Sequence, residues 1–346
     1  MKNSIKAGMN IPQGSEFIIS STRIRLARNL DSYPFPDRLD ESKAKEVIAL
    51  IRHELKLLDL FNEYDVETST PMQSAYMQEK HLISPALIKR GGKGAAFISQ
   101  DECISVMVNE EDHLREQYIF KDFDLMDAYE KISGIDDLIG GKVNFAYDKK
   151  LGYLTACPSN LGTGMRASVM MFLPALTKSG TLKKLFPTFK QYGLTVRGVF
   201  GEGSQAEGYT YQISNERTLG VSEVSILEQM TEVGYNLCSL ELHEREKMLE
   251  RDGIQLKDDC LRAYGTLTNC ALLSQEEMSQ LLTKIRLGVV LGFFRARTMD
   301  RLEEFISEMQ PASFRLKYNP NTEEEAQSIR AGVAATELKK CISRLY

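Results

Sequence analysis

In the segment STRIRLAR, residues 21–28, arginines alternate with aliphatic side chains. Alternation with a period of two is strand chemistry, so Arg23 and Arg25 share one face and Ile24 and Leu26 the other. Arg28 follows at the strand end. The aliphatic face requires a core, and the arginine face requires water or an anion. One solution is an exposed edge strand, where charge blocks unwanted pairing. The other is a covered strand whose guanidinium groups would repel one another and lose hydration unless a polyanion joined them. Phosphate oxygens suit that role, because they match the arginine fork in bidentate fashion. The formal net charge of the chain is −5, so this positive charge is local. The same balance argues against nucleic acid or an anionic membrane as a bulk partner.

The rest of the chain suggests an α+β protein: an antiparallel or mixed sheet with helices packed on it, followed by a helical region. Strand-like runs fall at 104–108, 194–199 and 209–213, and 143–147 with 151–157 reads as a hairpin. Helical patterns cover 41–60 and 167–186, the latter interrupted by Pro174. From Val224 apolar residues recur at helical spacing up to Gly253, a C-terminal stop signal, with Gly234 as a possible kink. Beyond it the signals are helical: Ser274 with Glu277 and Thr322 with Glu325 have capping-box spacing, and Pro311 closes a stretch over 298–310. The division is therefore 1–250 and 251–346. Six scattered cysteines with no CxxC pair argue against a zinc site or disulfide framework and suit a reducing cytoplasm. The first ten residues lack the apolar core of a signal peptide, and the longest apolar run, 287–294, is too short for a membrane span.

Four further stretches concentrate polar residues. VNEEDHLR (108–115) follows an apolar run directly; it reads as a functional sheet end or as a solvated turn, with His113 a structural donor or a catalyst. CPSNLGTGMRAS (157–168) reads as a strand end, a glycine turn and a helix opening near Met165, where helix N–H groups would receive an anion beside Arg166. Cys157 is either an inert thiol or a thiolate supported by arginines. Neither this stretch nor GGKGAA (91–96) has Walker A spacing. VRGVFGEGSQAEG (196–208), with Arg197 and Glu202, reads as a closing loop or a long hairpin loop. ISNERTLG (213–220) supplies Asn215 and Arg217.

Taken together, STRIRLAR, VNEEDHLR, CPSNLGTGMRAS, RGVFGEG and QISNERTLG resemble, in order, the motifs of the ATP:guanidino phosphotransferase family, the phosphagen kinases. The resemblance covers roughly residues 17–250. It is nearest to the bacterial branch that phosphorylates arginine side chains in proteins: the arginine motif stands near the start, without the helical N-terminal domain of kinases acting on free guanidines, and a helical region follows. The resemblance implies an antiparallel sheet flanked by helices, of the phosphagen kinase and glutamine synthetase-like type, and ATP with Mg²⁺ as cofactors. It implies that Arg23, Arg25, Arg115, Arg166 and Arg197 cradle the nucleotide phosphates. It further implies that Glu111 is the catalytic carboxylate, Cys157 the reactive cysteine beside the guanidinium, and Glu202 a loop carboxylate that holds it. No protein-borne metal site is implied.

By the same resemblance the partners are arginine-bearing protein substrates, a zinc-binding activator protein, a transcriptional repressor as substrate, and Clp protease machinery that reads phosphoarginine as a degradation mark under stress. A homodimer through the helical region is a further expectation. The branch's Arg-Asp-x-x-Arg-Ala motif for phosphoarginine is AQSIRA (326–331) here, so Arg330 stands either as a remnant of that site or as a solvated helix residue. Two alternatives remain at this level: a kinase of free arginine or another small guanidine, and a catalytically silent phosphoarginine-binding adaptor.

Overall fold

The alternating segment forms β1 (Ile19–Arg28). The computed structural model describes residues 18–198, 201–202, 207–297 and 299–344. In it β1 is paired on both sides, so the edge-strand solution is excluded. Ile24 and Leu26 are buried, while Arg23 and Arg25 are half-buried.

After β1 come α1 (Glu41–Lys56), β2 (Phe61–Asp65), α2 (Pro71–Glu79) and α3 (Pro85–Arg90). A meander follows of β3 (Ala95–Ser99), β4 (Ile104–Val108) and β5 (Leu114–Phe120), then α4 (Leu125–Gly140). A short hairpin, β6 (Tyr147–Asp148) and β7 (Gly152–Tyr153), precedes β8 (Met165–Phe172). Two helices, α5 (Pro174–Lys178) and α6 (Thr181–Gln191), lead to β9 (Leu194–Gly198), β10 (Gly201–Glu202) and β11 (Thr210–Asn215). Nine of these eleven strands form one sheet in the order β10-β9-β11-β8-β1-β5-β4-β3-β2, and β6 pairs with β7 apart from it. Every pairing in it is antiparallel, as expected.

The sequence predicted a helix over 167–186, but its first six residues belong to β8. Arg166, Ser168 and Met170 alternate there with buried Met165, Ala167, Val169 and Met171, which is strand periodicity. Helix begins only at Pro174, in the first-turn position that proline favours. The hairpin expected over 143–157 shrinks to two residues per arm, and 154–164 becomes loop.

One sheet face packs on helices: Ile24, Leu26, Val108 and Val169 share a core with Val47 of α1, Ile132 of α4 and Leu227 of α7 (Glu223–Asn269). On the other face Leu82, Ile83 and Leu87 cover Ala96, Ile98 and Met107 of β3 and β4. The remainder of that face carries the arginines. α7 runs through Gly253 without stopping, because the buried stripe Met248, Leu256, Cys260, Ala263 and Leu267 continues across it. Gly234 makes room instead of a kink: an added Cβ would lie 2.2 Å from the Phe123 ring.

The chain ends with α8 (Gln275–Val290), β12 (Phe294–Ala296), α9 (Met299–Glu308), α10 (Pro311–Tyr318), α11 (Glu323–Cys341) and β13 (Ile342–Arg344). The region read as helical thus also holds a two-stranded pair, β12 with β13. The Ser274 and Thr322 hydroxyls accept from the Glu277 and Glu325 amides, as their spacing predicted. A second core gathers Phe294, Phe305, Phe314 and Leu338 around the distal half of α7. No helix among the described residues is long and apolar enough to cross a membrane.

Parity separates the third arginine from the other two. Arg28 shares the face of Ile24 and Leu26 and points into the core. There its Nη2 lies 2.7 Å from Asp136 Oδ2 on α4, its Nη1 donates to the Ala27 and Thr163 carbonyls, and its guanidinium lies 3.6 Å from the Tyr153 ring centroid. Removing either partner leaves a buried charge uncompensated. Arg28→Ala and Asp136→Ala should each destabilise the protein by about 3–5 kcal/mol in urea unfolding, and the double replacement Arg28→Met/Asp136→Leu should cost less than either.

Candidate active site

Antiparallel register decides which side chains meet. Arg25 of β1 stands opposite Arg166 of β8 and opposite Gln117 of β5. Arg115 lies two residues before Gln117, hence on the same face. Across β11, Ser214 pairs with Ser168 and Gln212 with Arg197 of β9. The pleat therefore puts Arg23, Arg25, Arg115, Arg166 and Arg197 on one face, the one not packed on α1, α4 and α7. All five arginines expected at a phosphate site converge. Arg166 arrives by strand register, not at a helix N-terminus, which corrects the helix-dipole reading of that residue.

Like charges directly opposite one another in a sheet are destabilising, and the electrostatics here bear that out. Withdrawal from water, with repulsion from Arg115 and Arg166, lowers the Arg23 pKa to about 10. Arg25 is pushed well below its ordinary value by burial, then by Arg23, Arg115 and Arg166. Arg166 is lowered by burial and by Arg197. Their partners are mostly neutral: Arg23 Nη2 reaches Gln212 Oε1 at 3.4 Å, and Arg166 Nη2 reaches Ser214 Oγ at 3.1 Å. The Arg25 Nε is buried with no hydrogen-bond partner among the described residues. Arg115 has a carboxylate, Glu110, at 2.8 Å.

The turn between β4 and β5 gives three consecutive acids three settings. Asn109 opens it in the left-handed region, with φ 58°, and its side-chain amide donates to the Ala44 and Lys93 carbonyls. Glu110 is buried; besides Arg115 it accepts from the Ser84 hydroxyl and the Glu111 amide. Asp112 is buried and accepts from Asn29 Nδ2 and the Ala156 amide, both at 2.6 Å, which ties the loop before Cys157 to the end of β1. All three line the hollow, and Glu111 is the exposed one. Partial burial and the neighbouring Asp112 and Glu110 raise its pKa, while a hydrogen bond from the Cys157 thiol pulls the other way. The Cys157 sulfur also lies 3.0 Å from Ser159 Oγ. His113 is structural: its Nδ1 accepts from the Leu30 amide, and burial pushes its pKa down to about 4.

The loop 157–164 is fixed by backbone contacts that leave no room for side chains. Thr218 Oγ1 donates to the Ser159 and Leu161 carbonyls. Gly162, at φ 112°, would place a Cβ 2.3 Å from the Thr218 oxygen, and Gly164, at φ 64°, one 2.5 Å from the Ala27 oxygen. The resulting hollow is lined by Arg25, Glu111, Arg115, Cys157, Asn160 and Arg166. A second, less polar hollow adjoins it, lined by Arg23, His81, Ile119, Met170, Arg197 and Gln212. Arg23 and Arg115 both line the space between them. This arrangement can hold an elongated polyanion along the arginines, with an apolar moiety at one end and a proton acceptor beside a thiol at the other.

Glu202 lies on β10, where its backbone pairs with that of Arg197; its side chain is outside the described residues, as are 199–200 and 203–206 of the expected loop. Arg217 is exposed and donates to the Leu219 carbonyl. Arg330 is away from this face, in the helical core. It is buried, not solvated: its Nη1 donates to the Leu273 carbonyl at 2.8 Å, and its guanidinium lies 4.6 Å from the Phe314 ring centroid. His81, Ser84 and the distinct roles of Glu110 and Asp112 escaped the sequence reading. His81 is a single histidine after a helix, and nothing local marks it.

Two family profiles divide the chain. Residues 43–244 match the ATP:guanido phosphotransferase C-terminal catalytic domain, and residues 253–344 match the protein-arginine kinase McsB C-terminal domain. The chain is 40% identical over 329 residues to a protein-arginine kinase of Caldanaerobacter subterraneus subsp. tengcongensis, covering 93% of this chain and 97% of that one. It is 43% identical over 298 residues to a protein-arginine kinase of Halalkalibacterium halodurans, covering 85% and 84%. Among solved structures, lombricine kinase is similar with a TM-score of 0.59 and 25% identity, over 68% of each chain. The duplicated taurocyamine kinase from Schistosoma mansoni is similar with a TM-score of 0.60 and 25% identity, over 71% of this chain and 36% of that one.

The repelling arginines lead to a direct test. Inorganic tripolyphosphate should stabilise the protein against heat, by about 2.7 kcal/mol at a hundredfold excess over its Kd. Arg25→Ala should lose most of that gain, yet without anion it should melt no lower than the parent protein, because a buried, repelled cation has been removed. Differential scanning calorimetry with and without the anion measures both.

Proposed function

The chain belongs to the ATP:guanido phosphotransferase family, in its protein-arginine kinase branch, and on that premise we propose that it transfers the γ-phosphoryl group of Mg-ATP to arginine side chains in proteins. The observation that carries the reading is the mutually repelling arginine row lying beside the Glu111–Cys157 pair. A triphosphate laid along Arg23, Arg25, Arg115, Arg166 and Arg197 relieves the repulsion, and the less polar hollow at Ile119, Met170 and His81 takes the base. The γ-phosphate then lies at the end bounded by Glu111 and Cys157.

A guanidinium nitrogen is a poor nucleophile because its lone pair is delocalised and the group holds its proton tightly. Glu111 orients the planar group and takes the N–H proton as the P–N bond forms and the bond to the β-phosphate oxygen breaks, releasing ADP. The Cys157 sulfur and the Glu202 carboxylate hold the guanidinium in line. Arginine charge then stabilises the equatorial oxygens of the transferring group, where positioning and electrostatics supply most of the catalysis. Among the described residues no cluster of three His, Cys, Asp or Glu side chains offers a metal site. An Mg²⁺ would arrive with the nucleotide and would supply charge neutralisation at the phosphates.

The reading extends to the chain as a whole. Residues 1–250 serve as the catalytic unit and 251–346 as a helical unit for dimerisation or partner binding, with α7 spanning the boundary. A cytoplasmic setting, a zinc-binding activator, a repressor substrate and Clp machinery reading the phosphoarginine mark in a stress response follow from the family resemblance. Arg330 is proposed as the remnant of a phosphoarginine site. Its guanidinium, engaged with Leu273 and Phe314, favours a structural role in this chain.

Transfer from γ-labelled Mg-ATP decides the substrate class. An unfolded arginine-rich protein should acquire acid-labile, P–N bonded phosphate while free L-arginine stays unlabelled; the reverse outcome would make this a kinase of a small guanidine. Replacing the proton acceptor isolates its role: Glu111→Gln should lower kcat by about 10²–10⁴-fold with little change in ATP affinity. Because the Glu111 pKa is raised, its basic form disappears as pH falls through a value above the ordinary glutamate range. The acid limb of kcat/KM should therefore lie above that range in the parent enzyme and vanish in the variant.

A further inference from the structure

Helix α10 begins without a cap of its own. Gln310 at its N-cap position makes no side-chain capping bond, and Pro311 at the first position has no N–H. The first free donors are the amides of Ala312 and Ser313, and both are satisfied by Glu79 at the end of α2: Ala312 N donates to Oε1 at 2.5 Å and Ser313 N to Oε2 at 2.9 Å. The Ser313 hydroxyl adds a third bond to Oε2, at 3.0 Å. A carboxylate at a helix N-terminus also complements the helix dipole. Next along the chain, Lys80 Nζ donates to Ser307 Oγ of α9 at 3.0 Å. The end of α2 is thus bound to the helical unit at two successive residues.

That same chain end forms a wall of the arginine recess. Gln78, His81, Ile83 and Ser84 line the space shared by Arg23 and Arg115. His81 adopts φ 59°, and its carbonyl accepts from Gln117, the residue opposite Arg25. Ser84 donates to Glu110, the partner of Arg115. α2 itself contributes little core, since Ser74 is its only buried residue. Its last turn is held by Met77, half-buried against Leu82 and Ile83, and by the bonds that Glu79 makes to α10.

We propose that Glu79 is a positioning residue for the nucleotide: by capping α10 from outside, it fixes the wall formed by Gln78 and His81 and couples the helical unit to the phosphate recess. The proposal rests on the reading of that recess as an ATP site. It predicts a change in nucleotide affinity without a matching change in the transfer step, because no atom of Glu79 faces the reacting end.

Isothermal titration with Mg-ATP tests it on the full-length chain and on Glu79→Ala, Glu79→Gln and Ser313→Ala. Loss of all three bonds in Glu79→Ala should raise the Kd by about tenfold, and loss of the hydroxyl in Ser313→Ala by about threefold, the range that helix caps supply. Glu79→Gln, which keeps acceptor oxygen, should fall between the parent and Glu79→Ala. At saturating ATP, kcat should stay within about twofold. Hydrogen exchange should quicken both at 312–313 and over 78–84. The proposal is overturned if exchange quickens at 312–313 while the Kd for Mg-ATP stays unchanged, for then the cap is structural only. An equal fall in kcat overturns it as well. Should Glu79→Ala fail to fold, Ser313→Ala decides by the same criteria. A parent protein that binds no Mg-ATP would overturn the functional reading and not the role of the cap.

Discussion

The structure is organised around a repulsion among arginines on one sheet face. Antiparallel register sets Arg25 opposite Arg166, and three further arginines lie on the same face. Among the described residues, only Arg115 of Arg23, Arg25, Arg115 and Arg166 forms an ion pair with a carboxylate. A fold tolerates such a face only if the rest of the sheet is held independently. Here the opposite face supplies that support, with Ile24, Leu26, Val108 and Val169 buried against three helices. Moving β1 by one residue would exchange its two faces, burying Arg23 and Arg25 and exposing Ile24 and Leu26. The apolar half of the alternation thus fixes the register that the charged half needs.

The turn 109–113 shows how neighbouring residues of one chemical type acquire different work. Glu110 neutralises and aims Arg115, while Asp112 joins β1 to the loop carrying Cys157. Both are buried and engaged, which leaves Glu111 between them as the exposed acid. Partial burial, and then the engaged carboxylates on either side, raise its pKa. The acidic cluster is therefore one exposed and two engaged carboxylates, a distinction that depends on contacts made from Ser84, Asn29 and Ala156.

Those contacts explain how much could be read from the sequence. The sheet class, the central arginine strand and the placing together of five arginines, Glu111 and Cys157 were legible, because motif order and period-two alternation are local signals. Arg28 was read only as following at the strand end, although parity alone separates it from Arg23 and Arg25. The β8 segment was read as helix because a glycine turn and Arg166 suggested an anion-binding helix start, yet Arg166, Ser168 and Met170 already alternate. Gly253 looked like a stop, but the buried stripe of α7 continues past it, and packing outweighs the cost of a helical glycine of about 1 kcal/mol. His81, Ser84 and Glu79 carried no local signal at all. Their roles arise where α2 meets the sheet and α10, contacts between residues up to 234 positions apart.

One device starts two of the helices. α5 and α10 both start with proline, and neither has a side-chain cap from its own N-cap residue. In each case a glutamate from another helix accepts the first two free amides: Glu79 for α10, and Glu241 of α7 for α5, at 3.0 and 2.9 Å from Ala175 and Leu176. Glu241 is fully buried and paired with Arg245. Nearby, Arg286 of α8 lies over Phe172, pairs with Glu303 and donates to Ser20, beside the start of β1. Unlike apolar packing, such bonds are directional, and a shift of one helix by a few tenths of an ångström is felt by the donor it serves. A sheet that must keep five cations in register gains from supports of this kind. They hold strand ends and helix starts in place without adding bulk to the face that carries the arginines.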